Sequence, residues 1–146
     1  MLSKEYLKNK FPNLLDYEIY INTESPHYNC ISYSIGRSDV WSWSKISDEN
    51  NYWPINNTDD SKLSFDEFYL YHGFKPIEFD IRHNGNYKIA LYGQNNIPKH
   101  AAIQKNEIFW ESKMGAGEII IHDLFELEGG IYGDVIQIYE KRNIQI

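Results

Sequence analysis

Cysteine is almost absent from this chain, in which Cys30 is the only one. A single cysteine cannot form a disulfide within the chain, and this favours a reducing compartment. The first residues lack the apolar core of a signal peptide, and no apolar run approaches the roughly 18–20 residues that a membrane span needs. We therefore expect a soluble cytoplasmic protein with no membrane partner.

Basic residues are also scarce, since 14 Lys and Arg stand against 21 Asp and Glu, giving a net charge of -7. No basic stripe is visible, which argues against a nucleic-acid partner. The glycine pairs lack the strand–helix context of a phosphate-binding loop, and one cysteine with scattered histidines does not give a metal-ligand spacing. The sequence therefore predicts no cofactor and no metal, and it does not fix the oligomeric state.

Aromatic residues, in contrast, are abundant, with 12 Tyr and 4 Trp. Several of them lie in a polar, irregular segment, residues 37–63, which we call the aromatic loop. Loops of this length in a compact domain are usually functional or flexible. Two interpretations are open: a surface loop anchored to the core by its aromatic rings, or one wall of a substrate groove beside Cys30.

The order of the secondary-structure signals predicts one α+β domain, residues 1–146, that begins with a lead-in arm, residues 1–22. Helical signals lie in the N-terminal half, where Ser64 and Glu67 have capping-box spacing before a stop at Gly73. Strand signals lie in the C-terminal half, and we expect the helices to pack on an antiparallel meander of about five strands. The predicted strands are 77–82, 87–92, 100–104, 108–112 and 135–139, with an Asn84-Gly85 hairpin and an ambiguous segment at 118–127.

One stretch, residues 27–36, is predicted to be a short helix with Cys30 near its N-terminus and a stop at Gly36. Ser25 or Asn29 supplies the N-cap. The unpaired N–H groups of a helix start carry about half a positive charge, which lowers the pKa of a nearby thiol. The position therefore predicts a nucleophile, although a free cysteine is also a common inert core residue.

A thiolate nucleophile needs an imidazole, and His100 is the main candidate. It opens a predicted strand in which Ala101 and Ala102 leave room for a helix to approach. His27, which precedes Cys30 on a loop, is the competing base.

Two further catalytic roles have candidates. Ser112 is the candidate for orienting the imidazole through its hydroxyl, against the simpler interpretation of an ordinary strand serine. The backbone N–H of Cys30 and the side chain of Asn29 are the candidate oxyanion donors.

The order of these features resembles the papain-like cysteine hydrolase fold in its small bacterial form, the NlpC-type peptidases and amidases. The segment from His100 to Ser112 is similar to the histidine strand and its hairpin partner in that family. The resemblance implies a Cys30–His100 pair. The third position, commonly His, Asn or Gln in the family, offers Glu111 or Ser112 here.

The chain also resembles an uncharacterised bacterial family from about residue 27 to 140. That family has an Asn-Cys helix ending in Gly, a Tyr-Trp-Pro loop, a His-Ala-Ala strand, a Ser-Lys-x-Gly motif and a late Leu-Glu-Gly…Tyr-Gly pattern. The matching positions are 29–36, 52–54, 100–102, 112–115, 127–129 and 132–133.

Two functional hypotheses follow. In the first, the protein is a cysteine hydrolase, a peptidase or amidase, in which Cys30 attacks a peptide-like or small-molecule substrate and His100 moves the proton. In the second, it is a catalytically silent binding or inhibitor module that holds a peptide or small ligand in an aromatic groove, with Cys30 as inert packing.

Overall fold

The computed structural model describes residues 2–46 and 50–144, which form an α+β fold around one antiparallel sheet. The α+β prediction is confirmed, but these residues contain seven strands rather than about five. The sheet order is β1-β6-β5-β4-β3-β7-β2. The strands are β1 (Tyr17–Tyr20), β2 (Lys75–Ile77), β3 (Tyr87–Gln94), β4 (Ile97–Gln104), β5 (Phe109–Lys113), β6 (Ile119–Asp123) and β7 (Asp134–Lys141).

Within the described residues there are three α-helices, all in the N-terminal half, as predicted. The helix that carries the cysteine is capped by Asn29 and is followed by Gly36 at φ +81°. The next helix begins earlier than the capping box predicted, because Ser61 rather than Ser64 is its N-cap; it is followed by Gly73 at φ +86°. The bounds are α1 (Lys4–Lys10), α2 (Cys30–Ser34) and α3 (Lys62–Tyr71), and a short 3-10 helix covers Phe125–Leu127.

Two strand predictions were wrong. The alternating segment 77–82 is strand only to Ile77, and β2 pairs with β7 rather than with β3. The remaining residues of the segment bond locally, since the Arg82 guanidinium forms an ion pair with Asp80. The tight hairpin is at Asn95-Asn96, where both residues have positive φ, and it joins β3 to β4.

The sheet buries a hydrophobic cluster on each face. The lead-in segment contributes α1 and β1, so that it belongs to the core. One cluster packs against α1, and we call this side the α1 face; the other packs against α2 and α3, and we call it the α2 face. Buried members on the α1 face include Leu7, Phe11, Tyr92, Ala102, Trp110 and Ile120; those on the α2 face include Cys30, Ile31, Phe65, Phe68, Leu91 and Ala101.

The aromatic loop is pinned to α3, which confirms that its rings anchor it. Trp53 stacks on Phe68 with centroids 4.5 Å apart, and Trp43 meets Phe65 edge-on at 5.1 Å. Asn51 joins two parts of the loop, because its side-chain oxygen accepts from the N–H of Trp43 and its amide nitrogen donates to the Trp43 carbonyl. The described part of the loop therefore packs on α3 through its rings, and Ser42 joins it to the start of α2 by hydrogen bonds with Asn29 and Ser32.

Strands β4 and β5 pair over a short stretch only. Their register covers Ile103 with Glu111 and Gln104 with Trp110. Before these residues β4 continues alongside β3, and α2 contacts both β4 and β5. We call the space between the first half of β4 and the end of β5 the strand gap.

Candidate active site

Cys30 is the first residue of α2 and lies at the strand gap. Its side chain is 5% exposed. Burial raises the pKa of the thiol to about 11, although the backbone amides of Ala101, Ile31 and Cys30 itself, and the Lys113 charge, act in the opposite direction. The site thus holds amide groups that stabilise a thiolate, but in the resting protein burial outweighs them and the sulfur stays protonated.

Asn29, a candidate oxyanion donor, is hydrogen-bonded to the protein through both the oxygen and the nitrogen of its side chain. Its side-chain oxygen accepts from the N–H of Ser32 at 3.2 Å, which caps α2, and from the N–H of Ser42 at 3.2 Å. Its amide nitrogen donates to the carbonyl of Ser42 at 2.8 Å. Asn29 therefore fixes the start of α2 against the aromatic loop, and the backbone N–H of Cys30 is the better oxyanion candidate.

His100 is fully buried on β4. Neither of its ring nitrogens has a hydrogen-bond partner within residues 2–46 and 50–144. Its imidazole lies parallel to the ring of Tyr132, with centroids 4.0 Å apart, and also contacts Tyr92 at 5.7 Å. Burial, assisted by the nearby His122, holds the pKa of His100 well below its usual range, so the ring is neutral at pH 7.

An unpartnered buried imidazole is unusual, because leaving a buried polar group without a hydrogen bond costs about 1–3 kcal/mol. Such groups in native structures call for an explanation, and a catalytic role is one. Among the described residues, His100 is the one histidine whose two ring nitrogens are both buried and without a hydrogen-bond partner.

The thiol and the imidazole approach the same pocket from opposite faces of the sheet. Ala101 belongs to the α2 face with Cys30, so strand alternation sends the His100 ring to the α1 face. The strand gap connects the two sides. We call the resulting cavity, of about 340 Å³, the thiol pocket; it is lined by Asn29, Cys30, Trp41, Trp43, Ile46, Lys99, His100, Gly115 and Tyr132. The two predicted partners share this pocket without a hydrogen bond between them.

Ser112, the predicted orienting residue, is hydrogen-bonded to a different histidine. Its hydroxyl donates to Nε2 of His122 at 2.7 Å, while Nδ1 of His122 donates to the Asp123 carbonyl at 2.9 Å. Burial lowers the pKa of His122 to about 4. Ser112 thus belongs to a buried pair with His122 and does not hold His100, and Glu111 accepts from the hydroxyl of Tyr33 on the α2 face.

Lys113 is a site residue that sequence reasoning missed. Its ammonium donates to the carbonyls of Ser25, Tyr28 and Gly115 at 2.9, 3.2 and 2.7 Å, and its side chain is buried. These bonds tie the chain segment that leads into Cys30 to the end of β5. A lysine next to a glycine turn, within the Ser-Lys-x-Gly motif, was the available signal.

A larger groove adjoins the thiol pocket. It has a volume of about 760 Å³, shares Trp41 and Ile46 with the thiol pocket, and we call it the aromatic groove. His27, the competing base, is exposed and lines this groove rather than the thiol pocket. The groove is lined by Pro26, His27, Asp39, Val40, Trp41, Ile46, Asn50, Asn51 and Tyr52.

Two further observations bear on other classes of function. Residues 2–46 and 50–144 contain no cluster of three His, Cys, Asp or Glu side chains placed to bind a metal ion. Within the same residues, every helix is too short or too polar to cross a membrane.

Comparison with known proteins identifies a family. The model of a family described as a domain of unknown function, DUF7689, matches residues 19–140. No curated protein and no solved structure matches the chain.

Proposed function

The chain belongs to the DUF7689 family, and we propose that it is a cysteine hydrolase of the papain-like kind that cleaves an amide bond. One observation carries this proposal: the buried imidazole of His100, which has no hydrogen-bond partner among the described residues, lines the same pocket as the Cys30 thiol. The amides around the sulfur and the neutral state of the ring add support. The order of a cysteine at a helix start and a histidine on a later strand is the order that the resemblance to NlpC-type enzymes requires.

The proposed reaction begins with a neutral pair. As Sγ of Cys30 attacks the substrate carbonyl carbon, the thiol proton passes to a ring nitrogen of His100. The carbonyl oxygen becomes an oxyanion, which the N–H of Cys30 stabilises. The imidazolium then protonates the leaving amine as the C–N bond breaks, leaving a thioester on Cys30. Water, deprotonated by His100, hydrolyses the thioester and restores the thiol.

A second candidate, the catalytically silent binding module, is favoured by a specific observation. A thiol whose pKa is about 11 and that does not hydrogen-bond to the imidazole behaves as a buried apolar group. In this alternative a peptide or small ligand lies in the aromatic groove, and Cys30 contributes only packing.

Alkylation of Cys30 by iodoacetamide from pH 5 to 9 separates the two candidates. With a pKa of about 11, an unassisted thiol is ionised in only about one molecule in 10⁴ at pH 7, so its rate rises tenfold per pH unit across the range. Proton transfer to His100 predicts a rate that is nearly independent of pH above the pKa of the imidazole. His100→Ala removes this assistance, whereas His83→Ala, at an exposed histidine that lines neither pocket, preserves it.

The same variants are then treated with p-nitrophenyl acetate and analysed by intact mass. A hydrolase acetylates at Cys30 and loses the acetyl group again by hydrolysis, and both steps depend on His100. Alkylation that rises tenfold per pH unit in wild type and His100→Ala alike, together with no acetylation, rejects the hydrolase in favour of the binding module.

A further inference from the structure

The imidazole of His100 is held by an aromatic ring instead of a hydrogen bond. The ring of Tyr132 lies on it at 4.0 Å with an interplanar angle of 3°. Tyr92, the other ring in contact with it in the described structure, meets it at a tilt of 52°. Ser112, which the sequence offered as the orienting group, bonds to His122. The parallel stack is therefore the contact that fixes the plane of the His100 ring.

Tyr132 is itself held rigidly. Its ring packs on Phe11 with centroids 5.0 Å apart. The turn that carries it is closed by a hydrogen bond from the N–H of Gly133 to the carbonyl of Gly130, and the N–H of Ile131 donates to the carbonyl of Lys10 at the end of α1. A Cβ at Gly130 would overlap that Lys10 carbonyl, so the turn lies directly against α1. The Tyr132 ring is thus held both by its contact with Phe11 and by the packing of its turn against α1.

We propose that Tyr132 is a positioning residue that sets the orientation of the His100 imidazole toward the thiol pocket. A stack restrains the plane of the imidazole but leaves both nitrogens at its edge, where one can take a proton from sulfur and the other can face the rest of the pocket. Tyr132 lines the thiol pocket together with His100 and Cys30. The catalytic consequence rests on the proposed hydrolase function, whereas the orienting role does not.

Three variants test this role. Tyr132→Phe keeps the stacking ring, and Tyr132→Leu removes it. Tyr17→Leu is the matched control, because Tyr17 is a half-buried tyrosine packed against the same α1-face cluster and is not among the rings that contact His100. The first readout is the NMR signal of the His100 ring, whose C–H protons are shielded by the stacked tyrosine. The second is the pH profile of Cys30 alkylation.

We expect Tyr132→Leu to remove the shielding and to lower the His100-dependent alkylation rate about tenfold or more, since small misplacements of a catalytic group are costly. Tyr132→Phe and Tyr17→Leu should keep both readouts within about twofold of wild type. Unchanged His100 ring signals in folded Tyr132→Leu would overturn the positioning role. If wild-type alkylation shows no dependence on His100 but Tyr132→Leu still shifts the ring signals, the hydrolase proposal fails and the orienting contact stands.

Discussion

The buried pair of Ser112 and His122 should make the protein sensitive to mild acid. In the folded protein the pKa of His122 is about 4, because burial disfavours the charged ring, whereas an exposed histidine titrates near about 6.5. The unfolded chain therefore binds a proton as the pH falls through about 6.5, and the folded protein does not until about 4. Stability from this group is present above pH 6.5 and is lost as the pH falls toward 4.

The size of the effect follows from the two pKa values. At pH 5 the folded state should have lost about 2 kcal/mol relative to pH 8 through His122 alone. The perturbation is His122→Gln, whose amide oxygen can still accept the hydroxyl proton of Ser112 but does not titrate. We expect the variant to be less stable than wild type at pH 8 and to recover about 2 kcal/mol relative to it at pH 5.

Urea unfolding followed by tryptophan fluorescence measures this difference at pH 8, 6 and 5. His100 is also buried, and the burial that mainly lowers its pKa acts in both proteins, so that part of its contribution cancels; the smaller part due to His122 is lost in the variant together with the His122 titration. A stability difference that stays constant to within about 0.5 kcal/mol from pH 8 to 5 would refute the reasoning, because it would mean that His122 is as easily protonated in the folded protein as in the unfolded chain.

Three further variants test how the start of α2 and the stacking turn are held, each by urea unfolding against a control. Lys113→Met should lower the free energy of unfolding by about 1–3 kcal/mol, because three carbonyls lose their donor. The control Lys99→Met, at an exposed lysine, should change it by less than about 0.5 kcal/mol, and equal losses in the two variants would contradict this reasoning. Gly133→Ala should lower the free energy of unfolding more than Gly36→Ala does. Both glycines have positive φ, but only at Gly133 would an added Cβ overlap a neighbouring carbonyl. Equal losses would show that the turn relaxes to accommodate the methyl group. Asn29→Ala should lower the free energy of unfolding by about 1–2 kcal/mol, and Asn29→Asp by less, because Asp keeps the cap but loses the donor to the aromatic loop. An Asn29→Ala variant as stable as wild type would show that Asn29 does not support the site.

Local signals were enough to locate the helix that carries the cysteine. Asn29, one of the two predicted caps, caps it, and Gly36 follows it in the left-handed conformation as predicted, although the helix is Cys30–Ser34 and so shorter than the predicted 27–36. A cap and a glycine stop act within a few residues of each other, so they can be recognised without knowing the rest of the fold. Gly73 likewise follows α3, as predicted. The N-cap of α3 is three residues earlier than predicted, because the sequence has two candidate serines, Ser61 and Ser64, and Ser61 takes that role.

Strand pairing could not be predicted in the same way. The alternation of Ile77, Phe79 and Ile81 is typical of a strand, but β7 occupies the edge of β3 that a hairpin partner would need. Phe79 instead lies 54% exposed against Phe125. Which strands meet depends on residues far apart in the sequence, and the local pattern carries no information about them.

In the candidate site, too, the sequence indicated individual residues but not the contacts that depend on distant parts of the chain. The sequence indicated Cys30 and His100, and both line one pocket. It did not indicate the partner of Ser112, because the register of β5 with β6 brings Trp110 opposite His122 and leaves the serine within reach of that ring. The stacking of Tyr132 on His100 likewise depends on a turn that returns to the sheet from a distant part of the chain.

The short pairing between β4 and β5 divides the sheet into two sub-sheets, β1-β6-β5 and β4-β3-β7-β2, joined by two residue pairs. Helix α2 contacts a strand on each side of this junction, β4 and β5, and therefore links the two sub-sheets. Cys30 thus begins the element that bridges the shortest pairing of the sheet, and His100 lies on one of the two strands that the element contacts.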